Sequence, residues 1–231
     1  MTPFGRRISK TTGSTTTTYF LYSDTGLMAE TDSQGQLIKA YGFNPKAAQQ
    51  GLWSTDPIWQ ADVAANSLTS TTTIYHYMHT DHLSTPMLAT DRTGYTTWKG
   101  TSEAFGATNP TILATQMNLR FPGQYWDQET STHYNFHRDY VPGIGRYVQS
   151  DPIGLNGGIN EFAYVEGNPL MRKDAYGLFS SGADFALVRH FYGGTGNYMD
   201  ISDWCGDYVS DAQVEGVIES IKKILKFKTK N

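Results

Sequence analysis

Two stretches of the chain carry the same order of apolar and polar positions. "LMAETDSQGQLIKAYGF" (27–43) and "PMLATDRTGYTTWKGTSEAFG" (86–106) each run from a hydrophobic segment through Thr-Asp-x-x-Gly into a second strand-like segment, which ends in Tyr41-Gly42 or Phe105-Gly106. Each stretch predicts a β-hairpin. Asp32 and Asp91 supply a carboxylate that bonds the turn backbone, and Gly35 and Gly94 tolerate positive φ. Their recurrence predicts a repetitive sheet in which each hairpin covers its neighbour. The threonine-rich segments 11–18 and 69–73 lead into Tyr19 and Tyr75 and read as strands, because threonine is β-branched. Residues 51–66, with Trp53, Trp59 and an Asp56-Pro57 turn, read as a connector between the hairpins.

The texture changes after Leu178. Residues 179–209 are irregular, and a helix is predicted over about 211–226. There Val214, Val217, Ile218, Ile221, Ile224 and Leu225 recur at three-and-four spacing behind a Ser210/Gln213 capping box. The expected architecture is a mainly β body of curled antiparallel hairpins followed by a small α-containing tip. Its parts are hairpins over 1–118, a further β segment over 119–178 and a tip over 179–231.

Composition agrees: 23 glycines and 15 tyrosines among 231 residues suit strands joined by turns. A formal charge of -4 supplies no basic field, so no nucleic-acid partner is expected for the body. One cysteine, Cys205, forms no internal disulfide, which points to a reducing compartment of folding. Residues 1–20 lack the apolar core of a secretory signal and no run of eighteen apolar residues occurs, so the expectation is a protein made in the cytoplasm, with any export by a specialised route.

One short phrase is written twice. Asp-Pro-Ile-Gly-Leu (151–155) returns as Asp-Ala-Tyr-Gly-Leu (174–178). On the residues alone both are turns, with Asp accepting backbone N–H groups and Gly supplying positive φ. The segment between them is expected to form an excursion bent at Gly157-Gly158 and Gly167-Asn168 that returns the chain and brings Asp151 close to Asp174.

The residues that carry a resemblance are now in view. "YHYMHTDHLSTP" (75–86), "LRFPGQYWDQETSTHYNFHRDYVPGIGRYVQSDPIGLNGGINEFAYVEGNP" (119–169) and the closing "DAYGL" resemble the RHS-repeat-associated core of Rhs and YD-repeat proteins. "FGRRISK" (4–10) and the hairpins at 19–43 and 86–106 resemble the repeats that lead into it. The resemblance implies a spiralling β-cage that encloses a C-terminal toxin used in competition between bacteria, with an immunity protein for the tip. It also implies that the core cuts its own chain after the second turn. Two features depart from the pattern: the chain begins inside a repeat and is too short to close a cage by itself, and Ala175 stands where the family has proline. The implied partners are the rest of a cage or a secretion component.

The implied chemistry is that of an aspartic-type autoprotease acting once, in cis. Two neighbouring carboxyl groups share a proton, which gives a base to activate water and an acid to assist the carbonyl oxygen. Asp151 and Asp174 are the expected pair, Leu178–Phe179 the expected bond, and Arg146, from the family's Gly-Arg-aromatic element, the expected cation. No cofactor or metal is expected. His76, His79 and His82 recur at three-residue spacing, and His133 and His137 stand four apart, yet a strand would turn His79 away from His76 and His82. Packing and hydrogen bonding are their expected roles. In the tip, His190 and Cys205 read either as a base and nucleophile or as buried packing residues, and the basic helix either as a membrane or partner contact or as a packed helix. A rival reading of the whole is a non-catalytic β-module that binds cell-wall carbohydrate through its tyrosines and tryptophans.

Overall fold

The computed structural model describes residues 6–14, 16–23, 25–49 and 54–178. Nine strands form one antiparallel meander in chain order: β1 (Ser9–Thr12), β2 (Thr16–Ser23), β3 (Gly26–Thr31), β4 (Leu37–Phe43), β5 (Pro57–Asp62), β6 (Ile74–Thr80), β7 (Pro86–Thr90), β8 (Thr96–Ser102) and β9 (Thr108–Leu113). A short helix, α1 (Pro45–Gln49), joins β4 to β5. A second antiparallel sheet follows, built of β10 (Tyr125–Asp127), β11 (Thr132–Asn135), β12 (Arg138–Val141) and β13 (Arg146–Tyr147).

Both predicted hairpins form, as β3–β4 and β7–β8. In the first, Asp32 Oδ1 accepts the N–H groups of Gln34 and Gln36, and in the second Asp91 Oδ1 accepts those of Thr93 and Tyr95. Gly35 and Gly94 take φ of +75° and +86°. The β6–β7 turn repeats this geometry around Asp81, whose Oδ1 accepts Leu83 and Thr85 N–H, with Ser84 rather than glycine at φ +75°. That non-glycine residue hides the third copy from a Thr-Asp-x-x-Gly pattern. The tip, including the predicted helix, Phe179, His190 and Cys205, lies outside the described residues, as does Trp53.

Two expectations are corrected. Residues 57–62 are a full strand rather than a connector, paired with β4 on one side and β6 on the other. Proline is accommodated at its first position, where no ladder donor is needed. Residues 69–73 are turns, because Ser67 Oγ accepts Thr69 N–H and Ser70 Oγ accepts Thr72 N–H, a local alternative to ladder bonding.

The main core gathers Phe20, Tyr41 and Trp98 from the large sheet with Met117, Tyr125 and Tyr134 from the segment that follows it. Trp98 and Met117 are fully buried. Trp98→Ala is expected to cost about 3–5 kcal/mol, read as a fall in the thermal midpoint of the whole chain. Polar contacts fasten the same junction: Asp62 accepts from Lys39 Nζ at 2.8 Å and from the Thr115 hydroxyl at 2.6 Å, and Lys39 Nζ also donates to the Gln116 carbonyl at 3.0 Å. The small sheet is thereby held against the large one, and its strands β12 and β13 carry the residues around which both repeated turns close.

Candidate active site

β11 ends at Asn135, and a turn with Phe136 at φ +54° reverses the chain into β12. Along β12 burial alternates, so Arg138 and Tyr140 point inward together while Asp139 and Val141 do not. Arg138 is 2% exposed at its side chain and uses its whole fork. Nε donates to the Gly177 carbonyl at 2.6 Å and Nη1 to the Glu161 carbonyl at 2.9 Å. Nη2 reaches Asp151 Oδ2 at 2.9 Å and Asp174 Oδ2 at 3.4 Å. The guanidinium carbon stands 3.7 Å from the centre of the Tyr147 ring, so the cation is also stacked.

Each aspartate is aimed by its own turn. Asp151 Oδ1 accepts Ile153 N–H at 3.0 Å, and its carbonyl accepts Gly154 N–H at 2.9 Å with Gly154 at φ +59°. Asp174 Oδ1 accepts Tyr176 N–H at 3.2 Å and Leu178 N–H at 3.1 Å, with Gly177 at φ +66°. Asp174 Oδ2 accepts the Tyr147 hydroxyl at 2.8 Å, and Asn135 Nδ2 donates to the Asp174 carbonyl at 2.9 Å. The excursion between the turns bends where expected, with Gly158 at φ +136° and Gly167 at φ +77°. Ala175 is buried, and its carbonyl sits so close to Gly123 that any side chain at 123 would strike it.

One cation therefore faces two carboxylates, and both are buried. Burial pushes Asp151 up from the ordinary carboxylate range, opposed by the Ile153 N–H and by Arg138, while Asp174 pushes it further up. Burial likewise pushes Asp174 up, against Arg138 and the Leu178, Tyr147 and Tyr176 donors. The Tyr147 hydroxyl is driven well above its usual range by burial and by Asp174, so it remains a donor. The geometry therefore gathers two acids of raised pKa on one cation.

The Leu178 carbonyl lies at the same spot. A Cβ built on Gly157 would stand 2.3 Å from Asp151 Oδ2 and 2.8 Å from the Leu178 carbonyl oxygen, so those two oxygens flank one small gap. Their separation is within what a single bridging water spans, about 5–6 Å. Leu178 is 4% exposed.

Asp151, Asp174 and Leu178 are thus brought together, and Arg146 is not with them. Arg146 is exposed on β13, its Nη2 3.4 Å from Asn160 Oδ1 and its guanidinium 5.8 Å from the Phe162 ring centre. The reason is strand alternation: Tyr147 takes the inward position, which turns Arg146 outward. Arg138 stands where Arg146 was expected, and Tyr147 and Gly157 join it as residues that sequence reasoning passed over.

The histidines disperse among separate partners. His76 bonds the Thr97 hydroxyl and Asp62, His79 the Thr90 hydroxyl, and His82 the Leu170 carbonyl. His133 is pushed down to about 3 by burial and by Arg120, and His137 to about 4 by burial and by Arg138, so both are neutral at physiological pH. Among the described residues no group of three or more His, Cys, Asp or Glu side chains converges as a metal site. None of the described helices is long and apolar enough to cross a membrane.

Comparison with known proteins places the chain. The family model described as RHS protein matches residues 74–112. Double-stranded DNA deaminase toxin A of Burkholderia cenocepacia is 35% identical over 196 residues, 78% of this chain and 14% of that protein. Toxin protein Tse5 of Pseudomonas aeruginosa is 40% identical over 102 residues, 44% of this chain and 8% of that protein. Among solved structures, a crystal structure of TcdB2-TccC3 without its hypervariable C-terminal region aligns with 73% of this chain and 9% of its own, at 18% identity and a TM-score of 0.49. The chain spans less than a sixth of the length of either toxin.

Proposed function

Because this chain belongs to the RHS family, we propose that residues 1–178 are the shell-and-core portion of an Rhs-type polymorphic toxin, which cuts itself after Leu178 to release residues 179–231 as the toxin tip in competition between bacteria. The observation that carries the reading is the convergence of Asp151 and Asp174 on one guanidinium beside the Leu178 carbonyl.

The roles follow from what each oxygen already does. Asp174 accepts hydrogen bonds from Tyr176, Leu178, Tyr147 and Arg138, which makes it the member that keeps its negative charge. Asp151, whose Oδ2 flanks the small gap together with the Leu178 oxygen, holds the proton and donates it toward that oxygen. Water adds to the Leu178 carbonyl carbon and gives one proton to the carboxyl pair. The C–N bond to Phe179 then breaks, the nitrogen takes a proton from the pair, a hydroxyl proton of the tetrahedral carbon returns to the pair, and the products are a Leu178 carboxylic acid, which ionises to solvent, and a free Phe179 amine. Arg138 offsets the charge that develops, and Tyr147 holds Asp174 in place. The substrate is tethered, so high effective molarity compensates for a modestly activated water.

The open edges of the large sheet suit a cage partner. β1 and β9 are its two outermost strands and β9 is exposed along most of its length, so their backbone is available to further strands of the same kind. An immunity protein would answer to the tip. Intact mass of the purified chain, followed from pH 5 to 8, tests the cleavage. The expected result is a new piece beginning at Phe179, and a folded chain that keeps its full mass throughout refutes the reading.

A further inference from the structure

We infer that Gly157 is a positioning residue of this site, present because its missing side chain lets the Asp151 carboxylate and the Leu178 carbonyl close on each other; the inference rests on the self-cleavage reading. Backbone conformation does not require glycine at 157. Gly154 and Gly158 hold φ of +59° and +136°, whereas Gly157 is not among the positive-φ residues, and what it lacks is room. An added Cβ would meet Asp151 Oδ2 at 2.3 Å, Asp151 Cγ at 2.8 Å and the Leu178 oxygen at 2.8 Å.

Neither neighbour can yield cheaply. Asp151 Oδ2 is held by Arg138 Nη2 at 2.9 Å and Oδ1 by Ile153 N–H at 3.0 Å. Arg138 itself is pinned by the Gly177 and Glu161 carbonyls and the Tyr147 ring. Leu178 is fixed by its N–H on Asp174 and by its buried side chain. A methyl at 157 therefore drives the acid and the carbonyl apart and loosens Asp151 from its cation, while it meets no atom of Asp174 among its three nearest neighbours.

Gly157→Ala in the full chain tests this, with Gly143→Ala as the control, since a Cβ at 143 meets nothing within 4 Å. Misplacement on the scale of 1 Å costs about 100-fold in rate, so Gly157→Ala is expected to slow release of residues 179–231 by about that factor while Gly143→Ala matches the parent. Titration of the Asp151 carboxyl by carbon NMR is expected to show a midpoint above the parent's, because the cation has been drawn away. A slowed release with an unchanged midpoint would mean general damage to the fold and overturns the inference. Release from Gly157→Ala at the parent rate overturns it alone, whereas a parent that never cleaves removes the reading beneath it. Should Gly157→Ala lower the melting temperature, adding Asp151→Ala, which removes the nearer of the two clashes, is expected to recover part of the loss; a loss unchanged in the double variant contradicts the close approach.

Discussion

Asp151→Asn is expected to slow release of residues 179–231 by about 10²–10⁴-fold, the contribution of a positioned acid, and Asp174→Asn by a similar factor. Asparagine keeps the size and shape of each side chain, but neither variant can hold the shared proton. At position 151 the fold should not suffer. In the parent one buried guanidinium faces a pair in which Asp151 holds the proton, so asparagine at 151 leaves Arg138 matched with the Asp174 carboxylate as before. A melting temperature at pH 7 equal to or above the parent's, together with lost cleavage, is the expected pairing. It is the mark of a residue kept for chemistry at the expense of stability. A sharp fall in stability with cleavage intact would assign Asp151 to the architecture instead.

Arg138→Met carries an expected structural effect as large as that of Trp98→Ala. It leaves two buried carboxylates without their cation, and loss of one partner from such a pair costs about 3–5 kcal/mol, or about 6–20 °C in melting temperature for a domain of this size. The cost should depend on pH in a definite direction. Burial already raises Asp151 and Asp174 in the folded chain, and without Arg138 both rise further. A carboxyl group whose folded-state pKa lies above its unfolded value destabilises at neutral pH, and that penalty fades as pH falls toward the ordinary carboxylate range. His133 and His137 act the other way, since groups depressed to about 3 and 4 must charge on unfolding in acid. His133 acts alike in both proteins, whereas loss of Arg138 removes part of what depresses His137, which relieves the variant in acid and narrows the gap in the same direction. The gap between parent and Arg138→Met in urea titrations is therefore expected to narrow from pH 7 to pH 4.5, and a gap that widens would mean that Arg138 does not balance the pair.

Much of this is legible in the sequence, because turns write themselves locally. The Thr-Asp-x-x-Gly phrases announced β3–β4 and β7–β8, and the doubled Asp-x-x-Gly-Leu phrase announced two aspartates aimed by matching turns. What stayed hidden depended on contacts distant in sequence or on local competition. Ser84 does at the β6–β7 turn what glycine does elsewhere, so its repeat leaves no glycine to read. Ser67 and Ser70 divert a threonine run from strand to turn through single hydroxyl bonds. Arg138 and Arg146 look equivalent as residue types, and only the strand phase set by buried Tyr140 and Tyr147 decides which one points inward. The alternation of β12 was readable in "RDYV", where arginine falls in step with an inward tyrosine. Gly157 was legible only as a bend with Gly158, since its role at the site lies in the approach of two atoms from separate turns.

The central claim, hydrolysis of the Leu178–Phe179 bond by the Asp151–Asp174 pair, is tested most directly by letting the purified chain react in water enriched in oxygen-18 and sequencing the C-terminal peptide of the body by mass spectrometry. The account predicts a peptide ending at Leu178 with one heavy oxygen in its new carboxylate, formed by the parent and absent from Asp151→Asn over the same interval. A body that ends elsewhere, or the same labelled peptide formed as fast by Asp151→Asn, would contradict it.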